Sequence, residues 1–390
     1  MIIPRPAVID QIDRMLSIHP VAALLGPRQC GKTTVARMIA ARQPSTYFDL
    51  ENPVDVRRLS APMTVLETMS GLVIIDEVQR QPDLLELLRV LVDRPENPAK
   101  FLLLGSASPQ LARGASESLA GRIGFTDLSG FNLTEVDTLR HDQLWLRGGF
   151  PRSFLTDDDS ISMVWRENFI RTFLERDIPQ LGITIPAETL RRFWTMIAHY
   201  HGQVWNAAEF ARSLGSSEVT ARRYLDILSG AYMVRVLPPW FENIGKRQVK
   251  SPKIYVRDSG ILHGLLQLST LPELQSHPKL GASWEGFVVE QIIGVLATRD
   301  AYFWATHAGA ELDLLVRAGG KHYGFEMKYA DAPNVRRSMR IAVKDLALEH
   351  LWVVYPGRYA YALDDRISTL PVASIPSLAA SLPALPLETP

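Results

Sequence analysis

The 390-residue chain has one cysteine, Cys30, which excludes an intrachain disulfide and with it the small disulfide-stapled class of folds. It has no excess of either charge, since lysine plus arginine and aspartate plus glutamate each number 42. No global field therefore draws the whole molecule to nucleic acid or to an anionic membrane, and any nucleic-acid surface must be local. It has no apolar run approaching about 18 residues, which excludes a membrane-spanning helix. Its first residues, MIIPRPAVIDQIDRML, lack the uncharged apolar stretch of a signal peptide. These absences predict a cytoplasmic, reducing location. Internal repeats are missing too, and only the last stretch, IPSLAASLPALPLETP, is biased, read as ending in a frayed tail over 384–390. What is present is the 46% hydrophobic share of an ordinary globular protein, at a length that needs more than one core.

The most informative stretch is LLGPRQCGKTTVARMIA. VAALL before it is the apolar run of a strand buried on both faces, and Val35, Met38 and Ile39 after it recur with helical spacing. Gly26, Gly31, Lys32 and Thr33 fit GxxxxGK[ST], in which glycines let backbone N–H groups turn around phosphate oxygens at a helix N-terminus. The expected phosphate-binding set is Gly26, Pro27, Arg28, Gln29, Cys30, Gly31, Lys32, Thr33 and Thr34. Lys32 is expected on the β- and γ-phosphates, and Thr33 on Mg²⁺. GLVIIDEVQ then supplies a second buried strand ending in two carboxylates. Asp76 is the candidate second holder of Mg²⁺, and Glu77 the base that polarises the attacking water. A third strand, KFLLLGSAS, ends at Ser106, whose hydroxyl either reaches the γ-phosphate or lytic water or simply begins a turn. PQLARGASESLAGR reads as a helix that leaves Arg122 at the sheet rim, to act on a neighbouring subunit's nucleotide or to cap its own helix.

The run GPRQCGKTT, FDLENP, IIDEVQRQPDLL, LLLGSAS, SLAGRI and GGFPRSFL resembles the AAA-type ATPases of bacteria and archaea that carry a C-terminal domain of unknown function similar to restriction nucleases. That resemblance implies phosphate binding by Gly26 to Thr34, Mg²⁺ at Thr33 and Asp76, a catalytic Glu77, a first sensor near Ser106 and an arginine finger at Arg122. GGFP, Gly148 to Pro151, is similar to the Gly-x-Pro lid motif of related signalling ATPases; the alternative is a Gly-Gly-Pro turn joining two domains.

Helical patterns occupy ISMVWRENFIRTFLERDI and AETLRRFWTMIAHYHG, with Phe169, Phe173 and Leu174 on one stripe. They read as a helical lid, with Arg171 or Arg176 sensing phosphate or bridging the helix surface. In NAAEFARSLGSSEVTARRYLDILSG, Asn206 and Glu209 start a helix, Gly215 ends it and Ser216 or Ser217 caps the next. Ala221, Leu225 and Leu228 then face a core while Arg222 and Arg223 point away. Two short helices across a glycine turn, followed by β-rich YMVRVL, resemble a winged helix-turn-helix. Basic residues outnumber acidic ones between His199 and Arg257, so Arg222 and Arg223 are candidates for DNA phosphate contact, unless the module only packs.

KIYVRDSGILHGLL reads as a strand and a helix. GASWEGFVVEQIIGVL is a helix bearing Glu285 and Glu290. YFWATHAGAELDLLVRAGGKHYGFEMKYA supplies three strands, and a helix from Asn334 to about His350 leads into the buried run LWVVY. This order resembles the PD-(D/E)xK nucleases. Strand alternation sets Glu326 and Lys328 on one face, and Glu311 and Asp313 on one face of the preceding strand. Asp313 and Glu326 would converge on a divalent cation, joined by Glu285, with Lys328 offsetting charge on the scissile phosphate. Against this, ExK pairs are common on strand surfaces, and ELD lacks the proline for which the motif is named.

The fold class expected is therefore α/β. A P-loop parallel-sheet ATPase domain spans 1–145, a helical lid 146–202, a winged helix 203–258 and a restriction-endonuclease-like α/β domain 259–383. The function expected is Mg²⁺-dependent ATP hydrolysis coupled to a DNA-directed nuclease-like domain. The alternative is an ATP-driven signalling or DNA-binding switch whose nuclease-like domain is inactive. ATP, Mg²⁺ and DNA are the expected partners, together with a second copy of the chain if Arg122 acts in trans.

Overall fold

A computed structural model describes residues 2–95, 99–106, 115, 117–242 and 245–382. They form two compact units, one within 1–130 and 230–232, the other within 131–229 and 233–389.

In the first unit, β1 (Val21–Gly26), β2 (Ser45–Asp49), β3 (Gly71–Asp76), β4 (Ala99–Ser106) and β5 (Ile123–Asp127) form one sheet in the order β2-β3-β4-β1-β5. Every pairing is parallel. β1 is buried along its whole length, and β3 and β4 nearly so, as strands covered by helices on both faces must be. Their aliphatic side chains, with Phe48, Phe101 and the buried leucines of the Leu84–Val92 helix, make one core. Helix Pro6–Ile18 starts on a proline and buries Ile9, Ile12 and Leu16, an apolar stripe at helical spacing. Parallel register brings the carboxyl ends to one edge, where Gly26 lies beside Ser106 and Asp49 beside Asp76. Half of the expected helix PQLARGASESLAGR lies outside the described residues, as does the whole of the tail 384–390.

In the second unit, helix Asp159–Thr172 runs on through a π turn at Phe173–Asp177. Phe169, Phe173 and Leu174 are buried as the stripe predicted, while Arg171 pairs with Glu175 at 3.1 Å on the surface. Helix Ala187–His199, β6 (Gln203–Val204), helices Ala207–Leu214 and Glu218–Gly230, β7 (Val234–Leu237) and β8 (Lys253–Val256) follow. The three strands pair antiparallel in the order β6-β8-β7. Asn206 caps its helix by accepting from the Glu209 amide at 3.4 Å, Gly215 ends it in the left-handed region, and the Ser217 hydroxyl accepts from the Thr220 amide at 3.1 Å.

Beyond helix Ser259–Leu265 comes helix Leu280–Leu296, buried on most sides, then β9 (Ala301–Ala305), β10 (Glu311–Ala318), β11 (Lys321–Met327), β12 (His350–Tyr355), β13 (Ala362–Asp364) and β14 (Ile367–Pro371). They form a mixed sheet ordered β13-β14-β12-β11-β10-β9. β9, β10 and β11 pair antiparallel, and β12 joins β11 and β14 in parallel. The helix expected from Asn334 to about His350 is shorter, Arg337–Asp345. Arg336 is still extended, and Ala347 turns left-handed at φ 49°. That turn closes the helix through the Leu348 amide on the Val343 carbonyl and buries Leu346 and Leu348 in the core beside Met339 and Leu351.

Candidate functional site

The glycine loop leaves β1 at Gly26 and enters helix Lys32–Ala40 through Gly31, whose φ of 105° is unfavourable for any residue with a Cβ. A Cβ on Gly26 would stand 2.1 Å from the Leu128 carbonyl oxygen, so close backbone approach also demands glycine there. Lys32 is buried and donates to the carbonyls of Gly26 at 2.9 Å and Pro27 at 2.8 Å, folded back over its own loop. Cys30 is fully buried and fills the turn.

Thr33 donates its hydroxyl to Asp76 Oδ2 at 2.8 Å, joining the first turn of the helix to the end of β3. Tyr47 of β2 donates to the same oxygen at 2.5 Å. Glu77 turns left-handed just past β3, at φ 57°. Burial pushes its carboxyl above the usual carboxylate range, against the pull of the Lys32 ammonium. The Gln79 amide donates to the Glu77 carboxylate and, at 2.7 Å, to the Ser106 hydroxyl, linking the ends of β3 and β4. The loop is held from behind by Arg5, which donates to the carbonyls of Cys30 at 3.2 Å, Ser129 at 3.1 Å and Gly130 at 3.0 Å. Lys32, Thr33, Asp76, Glu77 and Ser106 thus lie together at the carboxyl edge of the sheet.

Arg122 does not join them. It sits just before β5, level with the start of β1, six residues from the loop edge, a rise of about 20 Å. There it makes a two-armed pair with Asp93, at 2.6 and 2.8 Å, and donates to the Ala120 carbonyl at 2.8 Å.

In the second unit, Gly148 takes a φ of 75°, and a Cβ on it would meet the Asp258 carboxylate at 2.1 Å. That carboxylate caps helix Ser259–Leu265 and accepts from the Gly149 amide at 2.8 Å, so GGFP forms a tight backbone joint. Arg222 and Arg223 are exposed on helix Glu218–Gly230, and Arg222 lies 3.6 Å from Glu218.

The C-terminal carboxylates meet around Lys253, a residue that belongs to no motif. Lys253 of β8 is buried, its ammonium 3.0 Å from Glu285, 2.5 Å from Glu311 and 3.9 Å from Asp313. Tyr255 donates to the same Glu285 oxygen at 2.6 Å. Lys328 lies 2.8 Å from Glu326 and 3.7 Å from Asp313. Burial alone disfavours the Lys253 ammonium, yet the surrounding carboxylates hold its pKa above the ordinary lysine value. Burial, with Asp313 beside it, pushes Glu326 up to about 8. Glu326 Oε2 is buried without a hydrogen-bond partner among the described residues. Glu290 stands apart, held by Arg235 and by Arg257 at 3.2 Å. These donors do not fit a divalent cation, because the Lys253 ammonium already holds Glu285 and Glu311 and the Lys328 ammonium holds Glu326. Among the described residues no group of three or more His, Cys, Asp or Glu side chains is arranged to hold a metal ion.

Tyr47, Gln79, Arg5 and Lys253 carry no motif. Gln79 lies close enough to Asp76 and Glu77 to be found from sequence, and Lys253 is the one charge in an apolar strand.

A parallel sheet of this order, with a glycine loop before a helix that meets the acidic end of a neighbouring strand, defines a P-loop NTPase. A family model described as an AAA domain matches residues 19–137. Two described as domains of unknown function, DUF8612 and DUF4143, match residues 139–271 and 280–375. The uncharacterized proteins Rv2008c of Mycobacterium tuberculosis and Mb2031c of Mycobacterium bovis are each 53% identical over 375 residues, covering 96% of this chain and 85% of theirs. The chain belongs to the family of these mycobacterial proteins, with a P-loop ATPase domain at its N-terminal end. A Walker-type ATPase of Pyrococcus abyssi shares the fold at a TM-score of 0.50 and 15% identity, over 68% of this chain and 96% of that one. Among the described residues no helix is long and apolar enough to cross a membrane.

Proposed function

We propose that the chain is a Mg²⁺-dependent ATPase of AAA type whose nucleotide state is coupled to a DNA-directed C-terminal domain of restriction-nuclease-like build. The observation that carries the ATPase reading is the meeting of Thr33 and Asp76 at the mouth of the loop that holds Lys32. Backbone N–H groups from Gly26 to Thr34 and the N-terminus of helix Lys32–Ala40 receive the phosphates. Lys32 exchanges the Gly26 and Pro27 carbonyls for phosphate oxygens. Thr33 and Asp76 would hold Mg²⁺, which when bound neutralises phosphate charge. Glu77 orients the attacking water, and Ser106 reports the γ-phosphate through its hydroxyl. Arg122, too far from its own loop, serves a second copy of the chain. Calorimetry with ATP and Mg²⁺ tests the site: Lys32→Ala should abolish the binding heat, and parent-like binding by that variant would refute the reading.

The helices of 146–202 form the lid. The helix pair across Gly215 with the sheet β6-β8-β7 supports a winged helix, and the exposed Arg222 and Arg223 are its contacts to DNA phosphates. An Arg222→Ala/Arg223→Ala double variant should bind duplex DNA more weakly and with a shallower salt dependence. The order of a helix, three strands, a helix and a strand supports the nuclease-like build of 259–383. The second reading is an ATP-driven signalling or DNA-binding switch with an inactive nuclease-like domain, in which the Lys253 ammonium among the carboxylates would serve structure alone.

A further inference from the structure

Lys253 opens β8, a strand buried at all four positions and paired on both sides. Its backbone is fixed by register to Val204 on β6 and Leu237 on β7, so the ammonium cannot leave the cluster without loosening that sheet. Beyond Glu285, Glu311 and Asp313, the ammonium faces the Phe303 ring, 5.6 Å from its centroid. A charge this deeply buried persists only where such partners compensate it, and here three carboxylates do. Asp313 also lies 3.7 Å from the Lys328 ammonium, which holds Glu326 at 2.8 Å, and the buried Glu326 Oε2 has no hydrogen-bond partner among the described residues.

A divalent cation binds carboxylate oxygens at roughly 2.0–2.6 Å. One shared by Glu285 and Asp313 would have to lie close to the Lys253 nitrogen, 3.0 Å from Glu285 and 3.9 Å from Asp313, whose like charge opposes it. We propose that Lys253 is the resident cation of this cluster: its ammonium takes the place a divalent metal would need between Glu285 and Asp313. The domain as folded therefore takes up neither Mg²⁺ nor Mn²⁺ there and engages nucleic acid without metal-dependent cutting. The last step rests on the nuclease-like reading of 259–383; the exclusion of metal does not.

The test follows free Mn²⁺ by electron paramagnetic resonance during titration of the nucleotide-free full chain, with plasmid cleavage as a separate readout. The parent should show no Mn²⁺ uptake that Asp313→Asn removes. Lys253→Met, which keeps the stem and removes the charge, should gain about one Mn²⁺ per chain in an Asp313-dependent manner, and Lys253→Arg should gain none. Asp313-dependent uptake by the parent, or no gain in a folded Lys253→Met, overturns the proposal. If Lys253→Met does not fold, amine acetylation of the parent decides. Lys253 should stay unmodified with and without excess Mn²⁺ while the more exposed Lys328 reacts, and labelling of Lys253 that Mn²⁺ accelerates is the overturning result. Gained Mn²⁺ without plasmid cleavage upholds the proposal and counts against the nuclease-like reading. Cleavage by the parent that Lys328→Ala abolishes does the reverse.

Discussion

Tyr47 donates its hydroxyl to Asp76 Oδ2 at 2.5 Å, the oxygen that Thr33 reaches at 2.8 Å. Asp76 is thus aimed from two elements at once. Burial and the Asp76 hydrogen bond both raise the pKa of the phenol, which stays a donor at any physiological pH.

Tyr47→Phe removes one hydrogen bond to a charged group and leaves the ring in place, so it should raise the Mg²⁺ concentration for half-maximal ATPase activity by about tenfold. ATP binding in saturating Mg²⁺ should hardly change. A Mg²⁺ titration of turnover superimposable on the parent's would remove Tyr47 from the positioning of Asp76.

Glu77→Gln should preserve ATP binding and slow turnover by about 10²-fold or more, the range expected for loss of a positioned base. Gln79→Ala frees the Glu77 carboxylate from its link to Ser106 and should lower kcat with little change in nucleotide affinity. Steady-state kinetics beside binding calorimetry separates the two effects, and an unaltered rate in Glu77→Gln would exclude it as the base.

Gly286 lies within helix Leu280–Leu296, where a Cβ would stand 2.0 Å from His201 Nε2. The ring cannot retreat freely, since its Nδ1 accepts from the Val256 amide at 3.0 Å. Gly286→Ala should therefore destabilise the protein by about 1–3 kcal/mol despite the better helix propensity of alanine. Denaturant melts of the full chain read this directly, and a stabilised variant would show that the contact relaxes without strain.

His201 and His263 are fully buried, and burial pushes both down to about 3. Glu290 is held at about 2 by Arg235 and Arg257, which outweigh its burial. In the unfolded chain these groups titrate near 6.5 and 4.5. Between about pH 4.5 and 3 the unfolded state therefore binds more protons at all three, so stability falls as pH falls through that window. The melting temperature should drop steeply there, and less steeply in His263→Gln. A flat profile from pH 4.5 to 3 would mean that the histidines are protonated in the fold.

The P-loop and the β3 carboxylates were legible because their chemistry is local. VAALLG to TTVAR is contiguous chain, and the buried runs before Gly26 and Asp76 announce parallel strands whose carboxyl ends share an edge. The end of the helix expected from Asn334 to about His350 was not legible, because Ala347 stops it by turning left-handed and Leu346 and Leu348 are buried on either side of that turn.

By itself the sequence determined that a glycine loop, a lysine and a threonine precede a helix, that an acidic pair ends a buried strand, and that carboxylates recur in the C-terminal strands. Periodicity and short-range stereochemistry suffice for that. Only the tertiary structure decided that Tyr47 and Thr33 share one oxygen of Asp76, that Gln79 joins Glu77 to Ser106, and that Lys253 stands among Glu285, Glu311 and Asp313. The reason is physical: a buried charge is stable only beside partners that sheet pairing brings in from distant strands, and no local pattern encodes which distant side chain will arrive.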